Sequence, residues 1–213
     1  MKLVILGATG HVGSETVDQA LKAGHEVVAY ARRPEVLAAR PGLTIVGGSI
    51  TDVPVMAAAF AGADAVISAV GSTEAGFARK TLPAITAAVS QAGVRRFVLV
   101  SAFGVGDTRQ KASGFARLIY ATVVKKLFVD KELAEAAVLP TLDLDCTVVY
   151  PVNLKAGPSV GAAVVPLERV ESVPGLPTLP YIDVAEALVR TAEDEARVGQ
   201  RLLITTNDGY RGI

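Results

Sequence analysis

Tryptophan is absent from this chain, cysteine occurs once and histidine twice. A single thiol, Cys146, excludes an internal disulfide, and no group of Cys and His has the spacing of a metal site. With only His11 and His25, and no clustered carboxylates, hydrolytic triads have no support. An excess of charge is missing as well. The 21 Lys and Arg balance 21 Asp and Glu, which gives neither nucleic acid nor an anionic membrane a field to follow. No apolar run reaches the roughly 18 residues of a spanning helix. The opening run, Met1 to Leu6, stops too soon at a glycine turn to be a signal peptide. These absences lead to the expectation of a cytoplasmic protein, monomer or homodimer, whose partner is a small molecule.

What is present is apolar and periodic. Hydrophobic residues make up 51% of 213 residues, ample for one large core, so residues 1–213 read as a single domain. Leu3-Val4-Ile5-Leu6 runs straight into Gly7-Ala8-Thr9-Gly10-His11-Val12-Gly13. Behind the turn, Val17, Ala20 and Leu21 share one helical face and Gly24 stands as a C-terminal cap. Strand, glycine-rich turn and helix start, in that order, form the phosphate cradle of a dinucleotide-binding fold. Glycine lets a diphosphate approach the backbone, and the free amides of the helix start attract the anion.

The rest of the chain repeats the alternation. Strands are read at Glu26 to Tyr30, Leu43 to Val46, Ala65 to Ser68, Arg96 to Val100, Leu144 to Val149 and Arg201 to Thr205. Helices are read after Pro34, at Val53 to Phe60, from about Thr81 to Gln91, and from Ser113 to Val138, the last broken or bent near its middle. Asp183 is read as the cap of a last helix. Strands apolar at nearly every position, alternating with helices, predict an α/β fold of three layers. Its sheet is doubly wound, mostly parallel and Rossmann-like. Residues 151–180, rich in proline, read as a loop-rich, substrate-side segment with one short strand near Ala162 to Val165.

Ligands of such sheets bind at the carboxyl ends of the strands. The second strand ends in Tyr30-Ala31-Arg32-Arg33-Pro34, with two guanidiniums and no carboxylate. Arginine there suits a 2′-phosphate, favouring NADPH over NADH, although Arg32 and Arg33 could also be a solvated pair. Ser49, Ile50 and Asp52 follow the third strand near the expected adenine, and helix capping accounts for Asp52 equally well. Ser68-Ala69-Val70-Gly71 is small enough to let a cofactor lie on the backbone. Ser101 and Ala102, after the fifth strand, stand near the expected nicotinamide. Ser101 either orients a ligand or is a plain strand-end hydroxyl. Cys146, in an apolar strand, reads as a buried inert thiol, and His25 as a surface residue.

Together these segments resemble the atypical short-chain dehydrogenase/reductases of the NAD(P)H-binding, NmrA-like type. In style they are nearest to flavin reductase and biliverdin-IXβ reductase-like proteins. The resemblance rests on Gly7 to Gly13, Ala31-Arg32-Arg33-Pro34, Val100-Ser101-Ala102-Phe103, Asp130-Lys131-Glu132, Pro151-Val152-Asn153-Leu154 with Gly157-Pro158, and Tyr181-Ile182-Asp183-Val184-Ala185. It implies that Lys131 reaches the nicotinamide ribose, although a solvated helix lysine accounts for that residue equally well, that Pro151 lies beside the cofactor, and that Phe103 and Asn153 face the substrate. None of the five tyrosines has a lysine four residues later, which argues against the usual alcohol–ketone chemistry. The implied activity is NADPH-dependent hydride transfer to a planar acceptor such as a flavin. A non-catalytic NADP(H) sensor and a sugar-nucleotide epimerase or dehydratase relative are the alternatives.

Overall fold

The computed structural model describes residues 1–213. Its first half contains β1 (Lys2–Leu6), α1 (His11–Lys22), β2 (Glu26–Ala31), β3 (Leu43–Gly47), α2 (Val53–Phe60), β4 (Ala65–Ser68), α3 (Phe77–Gln91) and β5 (Arg96–Val100). Then come α4 (Gly114–Thr122), α5 (Lys125–Val138), β6 (Asp145–Pro151), β7 (Asn153–Lys155) and β8 (Ala163–Pro166). The chain closes with β9 (Val170–Ser172), β10 (Thr178–Pro180), α6 (Tyr181–Glu193), β11 (Arg201–Thr205) and β12 (Arg211–Gly212). Eight strands form one sheet in the order β3-β2-β1-β4-β5-β6-β11-β8, parallel except where β8 runs against β11. The first six positions have the doubly wound order, with the reversal between β1 and β4, so the ligand crevice opens at the carboxyl ends of those two strands.

Burial explains the apolar strands. Every residue of β4 and β5 is buried, as is β1 from Leu3 onward, because helices cover both faces. The helix read over residues 113–138 is two helices, α4 and α5, broken at Val123 and Val124. At the far end of the sheet from the crevice, Arg96 is 8% exposed and donates to the Asp145 carbonyl, the Thr147 hydroxyl and the Thr191 carbonyl.

Four expectations are corrected. The third long helix begins at Phe77, four residues before Thr81, because its cap comes from elsewhere in the chain. Gly76 turns at φ +77°, and the Asp130 carboxylate of α5 accepts from the Ala78 amide at 2.7 Å. Asp183 does not cap α6. It is 1% exposed inside the first turn, and its carboxylate accepts from the Ser159 hydroxyl and the amides of Val160 and Gly161. Residues 151–180 hold more structure than a loop. β7 pairs with β10, β9 with β12, and β8 joins the main sheet, with Pro151, Pro166 and Pro180 each ending its strand. His25 is not on the surface: its side chain is 8% exposed, with Nε2 2.8 Å from Glu193.

Candidate active site

The crevice is built from the β1–α1 corner outward. Gly7 turns at φ +81°, and a Cβ there would stand 2.7 Å from the Ala69 carbonyl oxygen. A Cβ on Gly13 would stand 2.0 Å from the Gly7 carbonyl oxygen. Both positions therefore require the missing side chain, Gly7 for the turn against β4 and Gly13 for helix against strand. Gly10 precedes α1 in an extended conformation with no side-chain cap, which leaves the amides of the first turn, His11, Val12 and Gly13, open to an external anion. His11 is exposed and stacks on Tyr181 with ring centres 4.9 Å apart, joining the starts of α1 and α6.

A cavity of about 230 Å³ lies over this corner. Gly7, Thr9 and Gly10 form its floor, Ala31 and Arg32 one end, and Ala69, Val70 and Gly71 the other. Ile50 also lines it. Arg32 and Arg33 are exposed and neither forms an ion pair within the chain. Ser49 lies outside the cavity lining: its carbonyl accepts from the Tyr30 hydroxyl at 2.9 Å and its side chain meets Thr51. Asp52 is the cap of α2, accepting from the Val55 amide.

Val70, Gly71 and Phe77 also border a second, smaller cavity of about 40 Å³ between the sheet and helices α3 and α5. Ser68, Leu99 and Val100 form its sheet side, and α5 contributes Leu127, Lys131 and Glu135. These three lie four residues apart, on one helical face. Leu127 thus occupies the place a Tyr-x-x-x-Lys pair would give its tyrosine. The Lys131 ammonium has no hydrogen-bond partner, and desolvation pushes its pKa down while the charges of Glu135 and Asp130 oppose that shift.

Ser101 is buried at the end of β5 and donates to Glu135 Oε1. Tyr150, on neighbouring β6, donates to Oε2 of the same carboxylate at 3.0 Å. Glu135 is the residue that sequence reasoning missed. No motif marks it; the one local sign is its position four residues after Lys131. Burial pushes its carboxyl up, against hydrogen bonds from Ser101 and Tyr150 and the charges of Lys131 and Arg201.

Ser101 and the other implied residues Ala102, Phe103, Pro151 and Asn153 lie outside both cavities, Ser101 meeting the smaller one only through Glu135. Phe103 is 3% exposed and packs edge-on against Tyr120, behind the site rather than on its wall. Pro151 is buried in β6, where its carbonyl accepts from the Phe103 amide at 2.9 Å, and the Ala102 carbonyl accepts from Val105. Asn153 donates to the Pro177 carbonyl, tying β7 to the segment before β10. Cys146 is half-buried, and desolvation pushes its thiol up to about 12, in keeping with an unreactive role.

Residues 7–195 match a family model described as NAD(P)H-binding. Among curated proteins, the chain is 32% identical over 155 residues to a 3-beta-hydroxysteroid dehydrogenase of Mycolicibacterium neoaurum. The match covers 65% of this chain and 42% of that one, so the chain spans less than half the length of this relative. Among solved structures, an anaerobillin reductase of Escherichia coli O157:H7 is 25% identical with a TM-score of 0.78, covering 98% of each chain. The oxidoreductase ylbE of Lactococcus lactis has a TM-score of 0.81 at 21% identity, covering 99% of this chain and 93% of that one, a likeness of fold.

Proposed function

As the chain belongs to the NAD(P)H-binding family, we propose that it is an NADPH-dependent reductase that passes hydride to a planar acceptor such as a flavin. The observation that carries this reading is the cavity at the carboxyl ends of β1, β2 and β4, floored by a corner that admits no side chain at Gly7 or Gly13. The dinucleotide, when bound, supplies the hydride. The open amides of His11 to Gly13 would hold its diphosphate, and Arg32 its 2′-phosphate through a forked, charged donor. Ser68 to Gly71 leave room for a flat ring against the backbone, and Lys131 is free to reach a ribose hydroxyl.

Leu127 at the tyrosine position removes the usual proton donor of alcohol–ketone chemistry, which turns the proposal away from the activity named for the steroid dehydrogenase relative. A reduced flavin can take its proton from solvent, so an apolar Leu127 is compatible with the chemistry. The protein then contributes orientation of the two rings. The likeness to an anaerobillin reductase supports a reductase. The test is NADPH and NADH titration by calorimetry, followed by NADPH oxidation with FMN, riboflavin and quinones. Binding with turnover of one acceptor class is expected; binding without turnover of any would favour a sensor.

A further inference from the structure

Glu135 joins residues from four separate parts of the chain. Its two carboxylate oxygens accept from Ser101, after β5, and Tyr150, on β6. The Tyr150 hydroxyl is in turn approached by Arg201 Nε of β11 at 3.4 Å, and the guanidinium stacks over the tyrosine ring at 5.1 Å. Arg201 is fixed from the other side by Asp107, with Nη1 2.9 Å from Oδ2. The chain of contacts thus runs from half-exposed Arg201 and Asp107 at the surface to the buried hydroxyl of Ser101. On the opposite side Glu135 borders the small cavity beside Lys131.

A hydroxyl has one hydrogen to donate. While Glu135 is ionised, Ser101 gives that hydrogen to the carboxylate and can only accept from a ligand. Once Glu135 is protonated, its own hydrogen can point to the Ser101 oxygen, and Ser101 can donate. We propose that Glu135 is the positioning residue of this site, its protonation deciding whether Ser101 presents a lone pair or a hydrogen to the acceptor. The proposal rests on the reductase reading for what the ligand is, but not for the titration itself. With a protonated Glu135, one proton passes from Ser101 to an acceptor atom as hydride arrives. The Glu135 proton replaces it on Ser101, and solvent entering the small cavity that Glu135 borders restores the proton on Glu135.

Other charged or titratable groups face Glu135 from each element around it. Lys131 and, beyond it, Asp130 stand on α5; Cys146 and Tyr150 on β6; Arg201 on β11. Burial raises the Glu135 carboxyl, whereas Ser101, Tyr150, Lys131 and Arg201 lower it. For a carboxyl raised in the folded state, stability is fullest below its unfolded pKa and falls as pH rises through the folded one.

Thermal unfolding of the ligand-free protein across pH decides the matter without any cofactor. The wild type should lose stability relative to E135Q as pH rises above the ordinary carboxylate range. Ser101→Ala removes a hydrogen bond to the charged form, so the same loss should move to higher pH in that variant. Tyr150→Phe should shift it in the same direction and serves as a second probe should Ser101→Ala fold poorly. Parallel curves for wild type and E135Q, or no shift in either hydroxyl variant, would overturn the proposal. With an acceptor that turns over, wild-type kcat/KM should fall by about tenfold or more above the Glu135 transition. That limb should be absent in E135Q. Absence of turnover in every variant would sink the reductase reading while the stability curves still decide the role of Glu135.

Discussion

The β1–α1 corner and the Ser101–Glu135–Tyr150 cluster lie at the same edge of one sheet yet are made in opposite ways. The corner is backbone: residues 7–13, consecutive in sequence, shaped by side chains that are missing. The cluster is side chain, gathered from β5, α5 and β6 with separations of 34 and 15 residues between partners. A local site is fixed by sterics and tolerates no added atoms. A site assembled over distance depends on protonation and on the packing of the elements that carry it.

The sharpest way to break the comparison is Gly13→Ala. The added Cβ meets a carbonyl oxygen at 2.0 Å, so α1 must move off β1. Stability should fall by about 3 kcal/mol or more, by the cost of overpacking, and calorimetry should find no dinucleotide binding. Retained NADPH affinity in a folded Gly13→Ala protein would mean that the corner is not the phosphate cradle. Next comes Asp183→Ala, which orphans the amides of Val160 and Gly161 and the Ser159 hydroxyl. Denaturant unfolding should show a loss of about 2–3 kcal/mol, with less effect on dinucleotide affinity than Gly13→Ala.

Arg32→Ala sharpens the comparison from the cofactor side. NADPH affinity should drop by about tenfold, the worth of one charged phosphate contact, while NADH affinity stays unchanged. An equal drop for both would assign Arg32 to general charge rather than to the 2′-phosphate. The smallest effect belongs to Cys146. Its thiol is raised to about 12, so iodoacetamide at pH 8 should leave the folded protein unmodified and label it after denaturation. Its contribution to stability is complete below the unfolded thiol pKa and is lost as pH climbs towards 12.

Much of the fold was legible in the chain. β4, β5, α2 and β11 occupy the residues read from the pattern, because strands buried on both faces must be apolar throughout. The start of α3 was not, since its cap, Asp130, arrives from 52 residues away. Residues 153–155 and 178–180 were too short to read as strands; each is a strand only because the other pairs with it. The cleft could be read at Gly7, Gly10, Ile50 and Val70, where a local motif or strand end carries the signal. Glu135 could not, since nothing beside it in sequence tells that Ser101 and Tyr150 will meet its carboxylate.

Order of apolar and glycine residues along the chain was enough to determine the parallel sheet and the shape of its opening turn, because both follow from contacts between near neighbours and from period. Only folding decided that a glutamate on the fifth helix would face a serine and a tyrosine from two different strands. Hydrogen bonds between distant residues depend on where the strands stack and how the helix lies across them, and that position is set by the whole core.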